Sequence, residues 1–300
     1  MLHLWGRAGM IRAVRRFFDQ RGYLEVETPI RIPAPAPEPH LIPQAAGSWF
    51  LQTSPELCMK RLLARGVPQL YQICKCFRRK ERGSRHLPEF TMLEWYRAGA
   101  DYRDLMSDCE ELLGAVAGEL SAGRVSSVAA RALARLDLTP PWERISVAEA
   151  FRRHAGMAVE EALARDLFEE LLVEKIEPHL GRSRPTFLHD YPAELGALAR
   201  LSPDNPAISE RFELYIAGLE LANGFSELID PVEQRRRFTV DRRKIRAAGR
   251  RPPPMPEKFL AELALMPPAA GIALGLDRLA MIMLGADRID SVLAFTPEQL

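Results

Sequence analysis

The stretch CFRRKERGSRHLPEFTMLEWY, residues 76–96, decides the fold. Residues 69–77 and 89–97 read as two strands joined by a charged loop. Side chains alternate along a strand, so Phe90, Met92, Glu94 and Tyr96 share one face, and Thr91, Leu93, Trp95 and Arg97 the other. A face carrying an aromatic ring, a carboxylate and a phenol is odd for a plain core and suits a ligand-facing surface. Arg78 closes the first strand, where a guanidinium can grip a phosphate in bidentate geometry. His86 is a second donor in the loop, and Phe90 offers a flat face to a purine. A generic charged hairpin would simply be solvated. The order Phe-Arg, charged loop, His-x-Pro-Glu-Phe-Thr-Met-x-Glu is far more specific than a run of charge.

Two further stretches carry chemistry. In GLELANGFSEL (218–228), Glu220 and Glu227 are seven apart and would point to opposite faces of an unbroken strand. Asn223-Gly224 permits a bulge or turn that resets the phase. Two carboxylates beside phosphates form a natural Mg²⁺ site, since this ion takes oxygen ligands. In GIALGLDR (271–278), Gly271 and Gly275 let backbone approach a ligand, and Arg278 follows at a helix N-terminus, a region that favours anions. Taken alone, this last stretch reads equally well as a strand-to-helix turn.

Around these stretches the periodicity predicts a helix over 7–21, stopped by Gly22, then a strand over 23–28 ending at Pro29. Residues 33–43 form a Pro-rich extended loop. A helix follows Thr53-Ser54-Pro55-Glu56, in which Ser54 or Thr53 caps and Glu56 completes a capping box. Residues 101–180 read as mostly helical, and 185–192 as a short strand. Residues 211–224 alternate and end at the Asn-Gly signal. Asp230-Pro231-Val232-Glu233 reads as a capping box opening a helix toward Gly249. The last strand is 271–275, and Asp277 opens a helix through Leu284. The fold class is α+β, in one domain over 1–300.

The 300 residues are 47% hydrophobic and 27% charged, a globular composition. The formal charge is +1, from 41 basic and 40 acidic residues. A protein that grips nucleic acid through phosphates shows a clear basic excess, and there is none globally. Locally, 235–251 holds nine basic residues and one Asp. It is either a solvated helix face or a docking surface for an acidic partner or a tRNA-like shape. Four cysteines are too sparse for a disulfide framework, and Cys74-x-Cys76 lacks a second pair for zinc. No signal peptide and no membrane span is expected, which makes the cytoplasm the expected location.

The three stretches, in this order, resemble motif 2, the metal-site strand and motif 3 of class II aminoacyl-tRNA synthetases. The first helix and strand resemble motif 1, which implies a homodimer. FRxxE…RHxPEFTMLEWY, ELANGFSEL and GxxxGxDR are similar to the lysyl branch, over about residues 7–296. The resemblance implies a mainly antiparallel β-sheet flanked by helices, with ATP and Mg²⁺ in use. Lysyl-tRNA synthetases carry an N-terminal OB-fold anticodon-binding domain, for which this chain leaves no room. It is therefore most similar to the stand-alone branch whose acceptor is a lysine of translation elongation factor P, with (R)-β-lysine or lysine as substrate and no role for tRNA. Ala273 agrees, since the lysyl-tRNA synthetases have Gly there. One methyl group discriminates by about 1–3 kcal/mol.

By position the resemblance gives Ser54, Glu56, Tyr96, Glu227 and Ala273 to the amino-acid substrate. Arg78 holds the α-phosphate and the carboxylate. Phe90 and Arg278 sandwich the adenine, and Arg78 and Arg278 are the catalytic pair. Lys80, Glu81, His86, Glu220, Leu221, Asn223 and Gly275 complete the ATP site, and Glu220 with Glu227 holds Mg²⁺. Two positions depart from the family. It has Arg-Asn-Glu where this chain has Arg78-Arg79-Lys80, and Asn where this chain has Leu87. Glu81 supplies the missing carboxylate if the loop slips by one residue. The alternatives are a minimal lysyl-tRNA synthetase-like enzyme with another acceptor and a catalytically weakened regulatory paralogue.

Overall fold

The computed structural model describes residues 2–123, 126–134 and 136–300. Helix α1 (Leu2–Asp19) starts earlier than its periodicity predicts and stops before Gly22, whose φ of 72° is left-handed. The predicted strand over 23–28 shortens to β1 (Leu24–Glu25), which pairs with Leu70 and Tyr71 on the first half of the next long strand, and Val26 N–H adds a bond to Tyr71 O at 2.9 Å. A small three-stranded sheet follows, made of β2 (Arg31–Ile32), β3 (Ala45–Ala46) and β4 (Trp49–Leu51). Then come α2 (Glu56–Ala64), β5 (Gln69–Phe77) and β6 (Glu89–Ala98), the predicted hairpin with its boundaries nearly unchanged.

Helices α3 (Tyr102–Ala122) and α4 (Ser126–Leu133) lead to β7 (Glu143–Ser146), a strand inside the region expected to be mostly helical. Helices α5 (Val147–Ala150), α6 (Val159–Ala164) and α7 (Phe168–Leu171) precede β8 (Thr186–Pro192). Next come β9 (Ile208–Ile216), β10 (Leu219–Ser226), α8 (Pro231–Ala247), α9 (Glu257–Leu263), β11 (Ala269–Gly275) and α10 (Leu276–Leu284). The large sheet runs β1-β5-β6-β11-β10-β9-β8-β7 and is antiparallel except at its two edge pairs, β1–β5 and β7–β8. This is the α+β arrangement that the sequence implied.

Alternation along β6 separates the two faces of the sheet. Leu93 and Trp95 enter the main core with α1, α3 and α10. There Phe18 stacks on Tyr71 with centroids 4.6 Å apart. Each buried ring of this kind contributes about 1.5–3 kcal/mol. The opposite face carries Phe90, Met92, Glu94 and Tyr96 and is left for a cleft.

Residues 211–224 are not one strand. The chain reverses at Ala217 (φ 55°) and Gly218 (φ 70°), two left-handed residues in succession, which is the backbone a two-residue hairpin requires. Asn223-Gly224, the stronger turn signal, stays inside β10. A Cβ on Gly224 would lie 2.8 Å from the Phe212 ring and 3.0 Å from Ile272, so its bare backbone makes room for packing and not for a turn. The phase reset occurs earlier, where the register shifts between Glu220 and Ala222.

Asp230 caps α8 through Val232 N–H (2.8 Å) and Glu233 N–H (3.2 Å), with Pro231 in the first turn. Glu233 turns to Arg236 and Arg237 and does not complete the box. Asp277 does not cap α10. Its buried carboxylate accepts from Thr91 N–H (2.7 Å) and pairs with Arg7 (2.5 Å), tying α10 to β6 and α1. Among the described residues no helix is long and apolar enough to cross a membrane.

Candidate active site

A cavity of about 1090 Å³ lies on the open face of the sheet. Its walls include every predicted site residue except Glu227. The two ends differ in chemistry.

One end is acidic. The Ser54 hydroxyl accepts from Glu56 N–H (3.0 Å) at the start of α2 and donates to Glu94 Oε1 at 2.6 Å. The Tyr96 hydroxyl donates to Glu94 Oε2 at 2.8 Å. Glu56 does not complete a capping box. Its carboxylate takes the Lys60 ammonium at 2.5 Å, one helical turn on. Lys60, only 1% exposed, also pairs with Glu227, which is equally buried. Glu227 Oε1 has no hydrogen-bond partner among the described residues.

Desolvation dominates here. Burial pushes Glu94 up to about 8, with Glu56 adding repulsion and the Ser54 and Tyr96 hydrogen bonds opposing it. Burial pushes Glu227 up to about 8 as well, with Lys60 opposing and Glu56 adding to it. Burial alone would lower Lys60, but Glu227 and Glu56 outweigh it and hold the ammonium charged. With all three carboxyls ionised, the cluster is two positive charges short.

Gly271 lines the cavity and also makes room for this cluster. A Cβ there would lie 2.2 Å from the Tyr96 ring and 2.5 Å from Glu227 Oε1, so glycine is what lets both side chains lie against β11. Ala273 pairs across the sheet with Glu94 on one side and Asn223 on the other.

The other end is cationic and aromatic. The Arg78 guanidinium sits 5.0 Å from the Phe90 ring centroid, and its Nε is buried without a partner. Arg278 donates to Glu220 O (2.7 Å), contacts His86 Nε2 (2.5 Å) and lies 3.7 Å from the Glu220 carboxylate. Burial and then the charges of Arg278, Arg78 and Arg85 hold the His86 pKa down, so a neutral ring can accept from Arg278. A Cβ on Gly275 would meet only Arg278 side-chain atoms, the nearest at 3.7 Å, which leaves space beside the strand. Lys80 adopts a left-handed φ of 72°, and both Lys80 and Glu81 line the cavity. Leu87, where the family pattern has Asn, is 2% exposed and belongs to the main core. Leu221, at the bulge, lines the cavity and also packs into that core.

Glu220 lines the cavity, while Glu227 lies buried behind its wall, seven residues on and past the register shift of β10. The hairpin brings Glu213 of β9 to Glu220. Burial, followed by the charge of Glu213, raises Glu220 to about 7. Glu213 accepts from Arg211 (2.6 Å) and from the Tyr215 hydroxyl (2.7 Å), and Arg211 also donates to Asn223 Oδ1 at 3.2 Å. Among the described residues no group of three or more acidic, His or Cys side chains is arranged to hold a metal.

Sequence reasoning passed over Lys60, Arg211, Glu213 and Glu38. Lys60 had a signal, one helical turn from Glu56, while Glu213 had none, because its approach to Glu220 depends on the turn at Ala217 and Gly218. Glu38 had none. It reaches the cavity because the Pro-rich strap 33–43 is pinned by Arg79 N–H to Ile42 O (2.8 Å) and by Arg250 to Pro39 O and Leu41 O. Burial raises Glu38 to about 7, Arg78 opposes, and Glu56 and Asp241 add repulsion.

The sequence matches the family of class II tRNA synthetases (D, K and N) over residues 2–299. It is 40% identical over 311 residues to the elongation factor P–(R)-β-lysine ligase of Edwardsiella ictaluri (strain 93-146), covering 99% of this chain and 95% of that one. It is 41% identical to the ligase of that name from Proteus mirabilis (strain HI4320), covering 98% and 94%. Against that from Pectobacterium carotovorum subsp. carotovorum (strain PC1) the identity is 42%, covering 99% and 95%. With these matches spanning nearly its whole length, the chain belongs to the class II tRNA synthetase family of the D, K and N type.

Proposed function

We propose that this chain is a ligase that activates (R)-β-lysine or lysine with ATP as an aminoacyl-adenylate and passes it to the ε-amine of a lysine on elongation factor P. The observation that carries this reading is the acidic end of the cleft. Glu56, Glu94 and Glu227 face one resident cation, Lys60. A substrate with two ammonium groups supplies the two missing charges. Relatives at about 40% identity bear the name of that activity.

The substrate carboxylate then lies toward Arg78, and Tyr96 with Ala273 bounds the floor. In the first step that carboxylate attacks the α-phosphorus of ATP and pyrophosphate leaves. Arg78 and Arg278 stabilise charge on the phosphates from fixed positions. The buried, unpartnered Nε of Arg78 fits such a role. Phe90 offers its ring to the adenine. Glu220 with Glu227 would hold a Mg²⁺ ion, with Glu213 adding negative charge beside Glu220, and phosphate and water would complete its oxygen shell. The bound ion would neutralise the phosphates. In the second step the acceptor amine attacks the adenylate carbonyl and AMP leaves. A homodimer and the absence of any tRNA step belong to this reading through the family resemblance.

The test is intact-protein mass spectrometry of purified elongation factor P incubated with this protein, ATP and Mg²⁺, with (R)-β-lysine in one tube and lysine in another. A gain of one lysyl unit supports the reading. No gain in either tube, with ATP–pyrophosphate exchange still present, would move the acceptor elsewhere.

A further inference from the structure

Helix α8 concentrates charge at the mouth of the cleft. Residues 231–251 hold nine Lys and Arg against Glu233 and Asp241, a local charge of +7. The whole chain carries +1, so the rest totals −6. Internal pairing uses only part of this. Arg235 binds Glu257, and Arg236 and Arg237 share Glu233. Arg242 and Arg250 donate to main-chain carbonyls. Arg243, Arg246 and Arg251 are exposed and make no ion pair among the described residues.

Helical geometry orients these charges. Gln234, Phe238 and Ile245 are buried and mark the inward face. Arg236, Arg237, Val240, Asp241 and Lys244 line the cleft. Arg236, Val240 and Arg243 lie along one stripe at the lip, since residues three, four and seven apart share a side. The wall formed by α7 and the residues after β8 presents Glu169 and Glu194. The mouth is therefore polar, with a basic lip and an acidic one.

From this we infer that the outer face of α8 is the docking surface for the acceptor, and that the acceptor is a protein with an acidic patch beside its target lysine. This rests on the reading of the activity above. A protein whose lysine enters the cleft must lay its surroundings on the lip. A lip with an excess of basic charge attracts carboxylates and repels basic surfaces, which sets the encounter rate and the choice of partner more than the chemistry. Among the described residues the exposed Arg243 and Arg246 side chains make no ion pair, so their charge is available to a partner.

The experiment compares wild type, Arg243→Glu/Arg246→Glu and Arg243→Lys/Arg246→Lys. ATP–pyrophosphate exchange is measured alone. Transfer is then measured to purified elongation factor P and, in a separate arm, to bulk tRNA. The reversed variant should keep exchange at the wild-type rate and lose about tenfold in kcat/KM for the acceptor protein at low salt, the gap closing as salt is raised. The lysine variant should transfer like wild type, because charge and not fork geometry is required. Equal transfer by wild type and the reversed variant overturns the docking surface while leaving the activity intact. Wild-type charging of tRNA that the reversal abolishes makes RNA the occupant and overturns the proposal. Wild type that modifies neither acceptor refutes the activity on which the proposal rests, and the proposal with it.

Discussion

Glu227→Gln removes one of the three carboxyls around Lys60 and alters the substrate's proton balance in a way that can be calculated. Glu94 and Glu227 titrate near about 8, because burial outweighs their partners. At pH 7, one unit below, each is protonated in about ten molecules of eleven. A substrate with two ammonium groups, both charged at that pH, requires the carboxylate form of each. Binding should therefore release about two protons at pH 7, and fewer as pH rises past about 8, where both groups are already ionised. In Glu227→Gln one of these protons has no source, so release should fall to about one. The lost charge-assisted contact should weaken binding by about 1.5–3 kcal/mol. Gln keeps volume and an acceptor for Lys60, so the fold should survive. Isothermal titration calorimetry of the amino acid in two buffers of different ionisation enthalpy counts the protons directly. Equal release by wild type and variant would refute the role of Glu227, and no release by wild type at pH 7 would refute the account of the whole cluster.

Three other outcomes follow from the same geometry. Gly271→Ala places a methyl group 2.2 Å from the Tyr96 ring and should cost about 1–3 kcal/mol or more, read as a lower Tm, with amino-acid affinity lost ahead of ATP affinity. Arg278→Ala removes the contacts to Glu220 and His86 together and should lower ATP–pyrophosphate exchange by about 10²–10³, measured with saturating amino acid. The ligand-free chain should also lose stability as pH rises. Glu94 and Glu227 bind protons more tightly folded than unfolded, so their contribution is whole below the ordinary carboxylate range and is lost as pH passes through about 8. Denaturant midpoints measured from pH 5 to pH 9 check this, and a midpoint that rises over that range would contradict it.

Much of the site was legible because a hairpin writes itself in period two. The limits of β5 and β6 and the face shared by Phe90, Glu94 and Tyr96 follow from alternation alone. The turn at Ala217 was not legible, because alanine carries no signal for a left-handed backbone, while Asn223-Gly224 carries one that packing against Phe212 overrides. Strand β7 escaped notice because four residues at a sheet edge offer too short a pattern.

By itself the sequence determined the order of the motifs, the family they belong to, and which residues could carry charge or a ring into a cleft. Those properties are local, set by side-chain type and by spacing along one strand or helix. Only the tertiary structure decided which charges meet. It placed Lys60 between Glu56 and Glu227, brought Glu213 to Glu220 across a hairpin, and drew Glu38 into the cavity on a pinned strap. Each of these depends on strands and loops far apart in the chain arriving at one place. Their pKa values depend in turn on how much water that packing excludes, which no spacing along the chain records.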